Sequence, residues 1–257
     1  MRQGGTFVVL GLGVLLGLCL FWVVGEALAA EPAKSAKPAL QEQASGLGLY
    51  KPPVLGAPRL RIGGGVRGMG GDGDVPVVQV LAPRQAGQTT LAQPTLYWHL
   101  DRATPYAVEI TIMAERGVSP LARQILPGPV AGGLHAFRLQ EQGKRLELGV
   151  DYTWFVAVIV QPQQRSRDAL ACGGLRLVDP PAGLAESVRS SVKGTGLGAV
   201  YAKAGLWYEA INALVEVPHE GPGQLGSAAQ LAAFLQQEEI TGVTFVLSPQ
   251  SGGASHQ

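Results

Sequence analysis

Charge is scarce in this chain. Asp, Glu, Lys and Arg make up 15% of its 257 residues, and 20 basic against 19 acidic side chains leave a net charge of +1. A chain with no basic excess has no electrostatic footprint for nucleic acid, which is held first through its phosphates. Nucleic acid is therefore not an expected partner. Chemistry-bearing residues are scarce as well. There are two cysteines, Cys19 and Cys172, and four histidines, His99, His135, His219 and His256. The histidines show none of the spacings of zinc hydrolases, and no G-x-S-x-G elbow occurs. No metal, no cofactor and no catalytic residue is expected from these patterns. The glycines number 36 but lack the three-residue period of collagen. A hydrophobic share of 46% is too high for a chain disordered throughout.

The long apolar run is at the start. Phe7 to Gly25 carries no charge, Arg2 precedes it and Ala27-Leu28-Ala29 follows. This is the pattern of a secretory signal over 1–29. The run is nearly long enough to span a bilayer, so an uncleaved anchor is the rival reading. Either way the rest of the chain is expected outside the cytoplasm, periplasmic or associated with the cell envelope. It would touch the membrane only through that segment. Cleavage leaves Cys172 alone, so no internal disulfide is expected and stability must come from a packed core.

Residues 30–75 read as a flexible linker rich in Pro and Gly. Within it, RIGGGVRG places Arg61 and Arg67 beside three glycines. That is either an anion cradle of backbone N–H groups or a turn feeding the first strand. GGDGD at Gly70 to Asp74 is a single copy of something close to a calcium repeat, too little to predict calcium.

From 76 to 180, short β-rich runs recur between turn residues. The expected strands are Val77–Ala82, Thr95–Leu100, Ala107–Met113, Leu121–Leu126, Leu134–Leu139, Tyr152–Val160 and Leu175–Val178. The fold class expected is mainly β: a seven-stranded sandwich with a small helical hairpin behind it. PTLYWHL followed by AVEITI resembles the second and third strands of a fibronectin type III domain, itself immunoglobulin-like, with Trp98 as core anchor. LELGVDYTWFVAV resembles the corner before its sixth strand. The resemblance implies that the Tyr152 hydroxyl bonds backbone a few residues upstream. Trp154 is expected in the core.

Residues 181–240 read as helical. Tyr201, Ala204, Tyr208, Ile211 and Val215 mark one face, broken by a turn at Gly205. Leu197-Gly198, Tyr201, Trp207, Ala210, Leu214 and Pro222 resemble one tetratricopeptide unit. One such unit cannot bury its own core, so it must pack on the sandwich or on a partner. GTGLGA at Gly194 to Ala199 imitates a dinucleotide fingerprint, but no strand precedes it. Residues 241–257 form a tail.

Several phrases together resemble one family of exported bacterial proteins, the domain-of-unknown-function family 928. They are YKPP with GAP and RIGGGVRG, PTLYWHL, LELGVDYTWFVAV, GGLRLVDPPAGL and YAKAGLWYEAI. The resemblance implies export, the sandwich and the helical end, but no activity.

The unexplained cluster is QQRSRDALACGG. Arg165, Arg167 and Asp168 either hold an acidic ligand or pair with each other and pin the loop. The leading expectation is a non-enzymatic envelope protein that binds another envelope protein or serves as a scaffold. Two alternatives stand beside it. One is a sandwich binding cell-wall glycan on aromatics such as Tyr97, Tyr106 or Trp207. The other is a hydrolase between sandwich and helices, with Asp168 beside His135 or another acid. Glu109, Asp151 and Asp168 are its carboxylate candidates.

Overall fold

Alternation builds the sheets. Along Ala107–Ala114, Val108, Ile110 and Ile112 are buried while Glu109, Thr111 and Met113 keep part of their exposure. A period of two places one set inside and the other outside. The computed structural model describes residues 50–52, 75–191, 195–216 and 224–243. Arg61, Arg67, the glycine runs beside them, the 7–25 apolar run, His219 and Pro222 lie outside the described residues.

The strands are β1 (Val78–Val80), β2 (Gly87–Thr89), β3 (Thr95–Leu100), β4 (Ala107–Ala114), β5 (Ala122–Leu126), β6 (Gly133–Arg138), β7 (Asp151–Ile159) and β8 (Ala169–Leu177). They form a three-stranded sheet, β1-β3-β6, and a five-stranded sheet, β2-β8-β7-β4-β5. Four helices follow: α1 (Leu184–Ser190), α2 (Thr195–Lys203), α3 (Trp207–Val215) and α4 (Gln224–Gln237). The chain is mixed α/β, where the sequence pattern points to a mainly β class with seven strands.

Two differences have physical causes. The strand β2 is three residues, Gly-Gln-Thr, with no apolar alternation to announce it. It is held by parallel pairing to β8, Gly87 opposite Leu175 and Thr89 opposite Leu177. The strand β8 begins at Ala169, six residues before the expected start at Leu175. Its first half, Ala-Leu-Ala-Cys-Gly-Gly, lacks β-branched residues and reads as loop. Small residues are needed there because β8 runs close under the β1–β2 crossover. A Cβ on Gly174 would come within 2.8 Å of the Ala86 backbone.

One continuous core runs from the sandwich into the helices. Trp98 and Trp154 are fully buried, and so are Val108, Ile112, Val156 and Val158. Leu96, Trp98 and Leu100 alternate with Tyr97 and His99 along β3, yet all five are buried. The three-stranded sheet is therefore covered on both faces at β3. On β4 of the other sheet only one face is buried.

The turn between α2 and α3 is a Schellman motif. Gly205 has φ of +77°. The Leu206 N–H donates to Tyr201 O at 3.0 Å and the Gly205 N–H to Ala202 O at 3.1 Å. Those bonds satisfy carbonyls that the helix end leaves open, and glycine is the residue that takes the left-handed position without strain. Residues 195–199 of the GTGLGA phrase lie within α2. Gly198 lets α3 approach, since a Cβ there would lie 2.8 Å from Leu214 Cγ. Close helix packing accounts for that glycine without a nucleotide.

Candidate functional site

The outer face of the five-stranded sheet carries an ion network. The register sets Ile125, Glu109, Ala157 and Leu170 in one row across β5, β4, β7 and β8. Ile125 is 50% exposed and Leu170 39%. Between them Glu109 Oε2 accepts from Arg123 Nη2 at 2.7 Å and from Arg165 Nη1 at 3.2 Å. Arg165 Nε also donates to Asp168 Oδ2 at 2.5 Å. Arg165 thus ties the loop before β8 to β4, and Asp168 pairs with Arg165. The Asp168 side chain is only 6% exposed. Arg167 is exposed, and its guanidinium has no partner among the described residues.

The hydrogen bond from Arg123, aided by Arg165, holds the Glu109 carboxyl below its ordinary 4.5, against a smaller opposing effect of burial. A carboxyl lowered by folding adds stability that is fully present above the ordinary value and is lost as pH falls through the folded one. Glu109→Gln is expected to flatten the loss of stability below about pH 4.5. Urea midpoints measured from about pH 7 to about pH 3 would show this. Parallel profiles for variant and wild type would contradict it.

The second constellation is the first turn of α3. Successive residues of a helix point about 100° apart, so Trp207, Tyr208 and Glu209 face three directions. All three are buried. Trp207 Nε1 donates to Leu81 O, just beyond β1, at 2.9 Å. The Tyr208 hydroxyl donates to Gly174 O on β8 at 2.6 Å and accepts from Trp154 Nε1 on β7 at 3.1 Å. Glu209 Oε1 accepts from the Thr90 N–H at 2.5 Å, Thr90 Oγ1 at 2.9 Å and Thr89 Oγ1 at 3.1 Å. One turn on, Asn212 Oδ1 accepts from the Tyr97 hydroxyl of β3 at 2.9 Å. Trp207 also stacks on Phe234 of α4, centroids 4.5 Å apart, and meets the edge of Tyr50 at 4.8 Å. The helix therefore packs on the sandwich through contacts to both sheets.

Burial decides between the expected roles of the aromatics. Tyr97 and Trp207 are buried and Tyr106 is half-buried, so Tyr97 and Trp207 offer no open platform for a sugar ring. The Tyr152 hydroxyl accepts the Glu147 N–H, five residues upstream, at 3.0 Å. Asp151 is paired with Arg176 at 3.1 Å. Asp168 lies beside Glu109 through their shared Arg165, whereas His135 is on β6 of the other sheet, stacked on Trp98 at 4.2 Å. Burial lowers the pKa of both His99 and His135, so their neutral forms dominate at neutral pH. Among the described residues no group of three or more His, Cys, Asp or Glu is placed to hold a metal ion. Cys172 is buried on β8.

Arg123, Tyr208, Glu209 and Asn212 were not legible as site residues. Arg123 needed the β4–β5 register, which sets it diagonal to Glu109. Glu209 had one signal, a lone acid inside the apolar run Trp207–Val215. Comparison with curated proteins and with solved structures finds no match. The DUF928 model, described as a Domain of Unknown Function, matches residues 62–246, well over half of the chain, and the chain belongs to that family.

Proposed function

We propose that this chain is an exported, non-enzymatic module of the cell envelope that holds a protein partner on the outer face of its five-stranded sheet. The observation carrying this reading is the contrast between the two sheets. The helices and β3 close over one another, while Ile125 and Leu170 stay exposed in a row that also holds Glu109. Apolar side chains flanked by charge on an uncovered sheet suit a protein interface better than open solvent.

Charge indicates the partner's chemistry. Arg123 and Arg165 pair with Glu109 and Asp168, while Arg167, exposed in the same loop, has no side-chain partner among the described residues. The partner is an envelope protein presenting a segment of mixed acidic and apolar side chains. The finer fold reading belongs here too. The strand order β1-β3-β6 against β2-β8-β7-β4-β5, with the short β2 added at the edge, is consistent with a fibronectin type III sandwich, and the α2–α3 turn with a tetratricopeptide-like hairpin. Export rests on the charged start, apolar run and Ala27-Leu28-Ala29.

The test is crosslinking and co-purification from envelope extracts. The double variant Ile125→Asp, Leu170→Asp is expected to lose a specific partner by about tenfold or more, roughly 1.4 kcal/mol. The variant Val118→Asp, in the fully exposed turn between β4 and β5, should retain it. Equal recovery with both variants would remove this face from the account.

A further inference from the structure

Glu209 is buried at 4% exposure, and its two oxygens are treated very differently. Oε1 takes three donors, all from Thr89 and Thr90 at the end of β2. Oε2 is buried with no hydrogen-bond partner among the described residues. A charge left on an unpartnered oxygen away from water is costly, and a proton there removes the charge. The carboxyl also sits where α3 meets β2, so its protonation state bears directly on that contact.

We propose that Glu209 is a proton-operated latch. Neutral, it holds α3 against β2; on losing its proton it loosens the helices from the sandwich. Three donors and the N-terminal turn of α3 favour the anion. The three threonine donors all meet Oε1, however, and burial outweighs these effects, raising the pKa above the ordinary 4.5. The titratable groups coupled to it are Tyr201 on α2 and Tyr208 on α3. Burial raises both phenols, so neither titrates between about pH 5 and about pH 9. Thr89 and Thr90 do not titrate, and no basic side chain among the described residues hydrogen-bonds the carboxyl.

The sign follows from linkage. The folded state holds a proton that the unfolded state releases near pH 4.5. Stability is therefore highest below that value and falls as pH rises through the folded pKa. This is the reverse of Glu109.

Amide hydrogen exchange in α3 is the readout, taken as the ratio of wild type to Glu209→Gln at each pH so that intrinsic exchange cancels. The ratio should rise by up to about tenfold per pH unit, from about pH 5 until the folded pKa is passed. The Gln variant keeps an acceptor for the threonines but cannot ionise. If that variant fails to fold, a ¹³C titration of the wild-type Glu209 carboxyl decides alone. A midpoint clearly above 4.5 supports the latch. A midpoint at or below 4.5, or a ratio constant with pH, overturns it.

Discussion

Trp207→Ala is expected to destabilise the protein by about 3–5 kcal/mol. Trp207 is fully buried and joins three structural parts. Its indole N–H holds the Leu81 carbonyl, its face stacks on Phe234, and Tyr50 meets it edge-on. Truncation would leave a cavity between sandwich and helices and a buried carbonyl without its donor, and the two penalties add. Trp207→Phe separates them. It keeps the aromatic stack and loses the hydrogen bond, so about 1–2 kcal/mol is expected. Urea denaturation of both variants measures the difference. A loss below about 1 kcal/mol for Trp207→Ala would mean that the helices do not brace the sandwich.

Much of the sandwich was legible because alternation is a local signal. Val108, Ile110 and Ile112 declared their face without any knowledge of the partner strands, and Thr95–Leu100 was bounded by turns. The strand β2 was not legible because Gly87, Gln88 and Thr89 carry no preference of their own. They are a strand because β8 and the Thr89–Glu209 contact hold them there. The start of β8 was hidden for a related reason. Gly173 and Gly174 lack side chains to fit under Ala82 and Ala86, and glycines read as loop.

The site divides in the same way. Arg165, Arg167 and Asp168 share one loop, so a pairing of Asp168 with one of the two arginines was readable there, and the structure pairs it with Arg165. Glu109 joins them from 56 positions away, and only the sheet register brings it there. The Trp207 and Tyr208 hydrogen bonds reach Leu81 and Gly174, distances in sequence that no periodicity encodes. Helical spacing identified α3 and required that it bury a face. It could not choose between a partner and the sandwich, and packing chose the sandwich.

Gly173→Ala is expected to be nearly as damaging as the loss of Trp207, at about 3 kcal/mol. A methyl at 173 would fall on the Ala82 methyl and lie 3.0 Å from Trp154 Nε1. Trp154 has little freedom to yield. It is fully buried, and its indole N–H is committed to the Tyr208 hydroxyl, which is itself bonded to Gly174 O. A shift of Trp154 would therefore strain the hydrogen bonds that hold α3, and the damage would spread from sheet to helix. The companion change Ala82→Gly removes one obstacle and leaves the other. The double variant should recover part of the loss, about half, with a coupling of at least 1 kcal/mol between the two sites. Additive effects in a double-mutant cycle by urea denaturation would show that the two positions do not touch. A full recovery would show that Trp154 can move after all, and that its bond to Tyr208 constrains the helix less than the geometry implies.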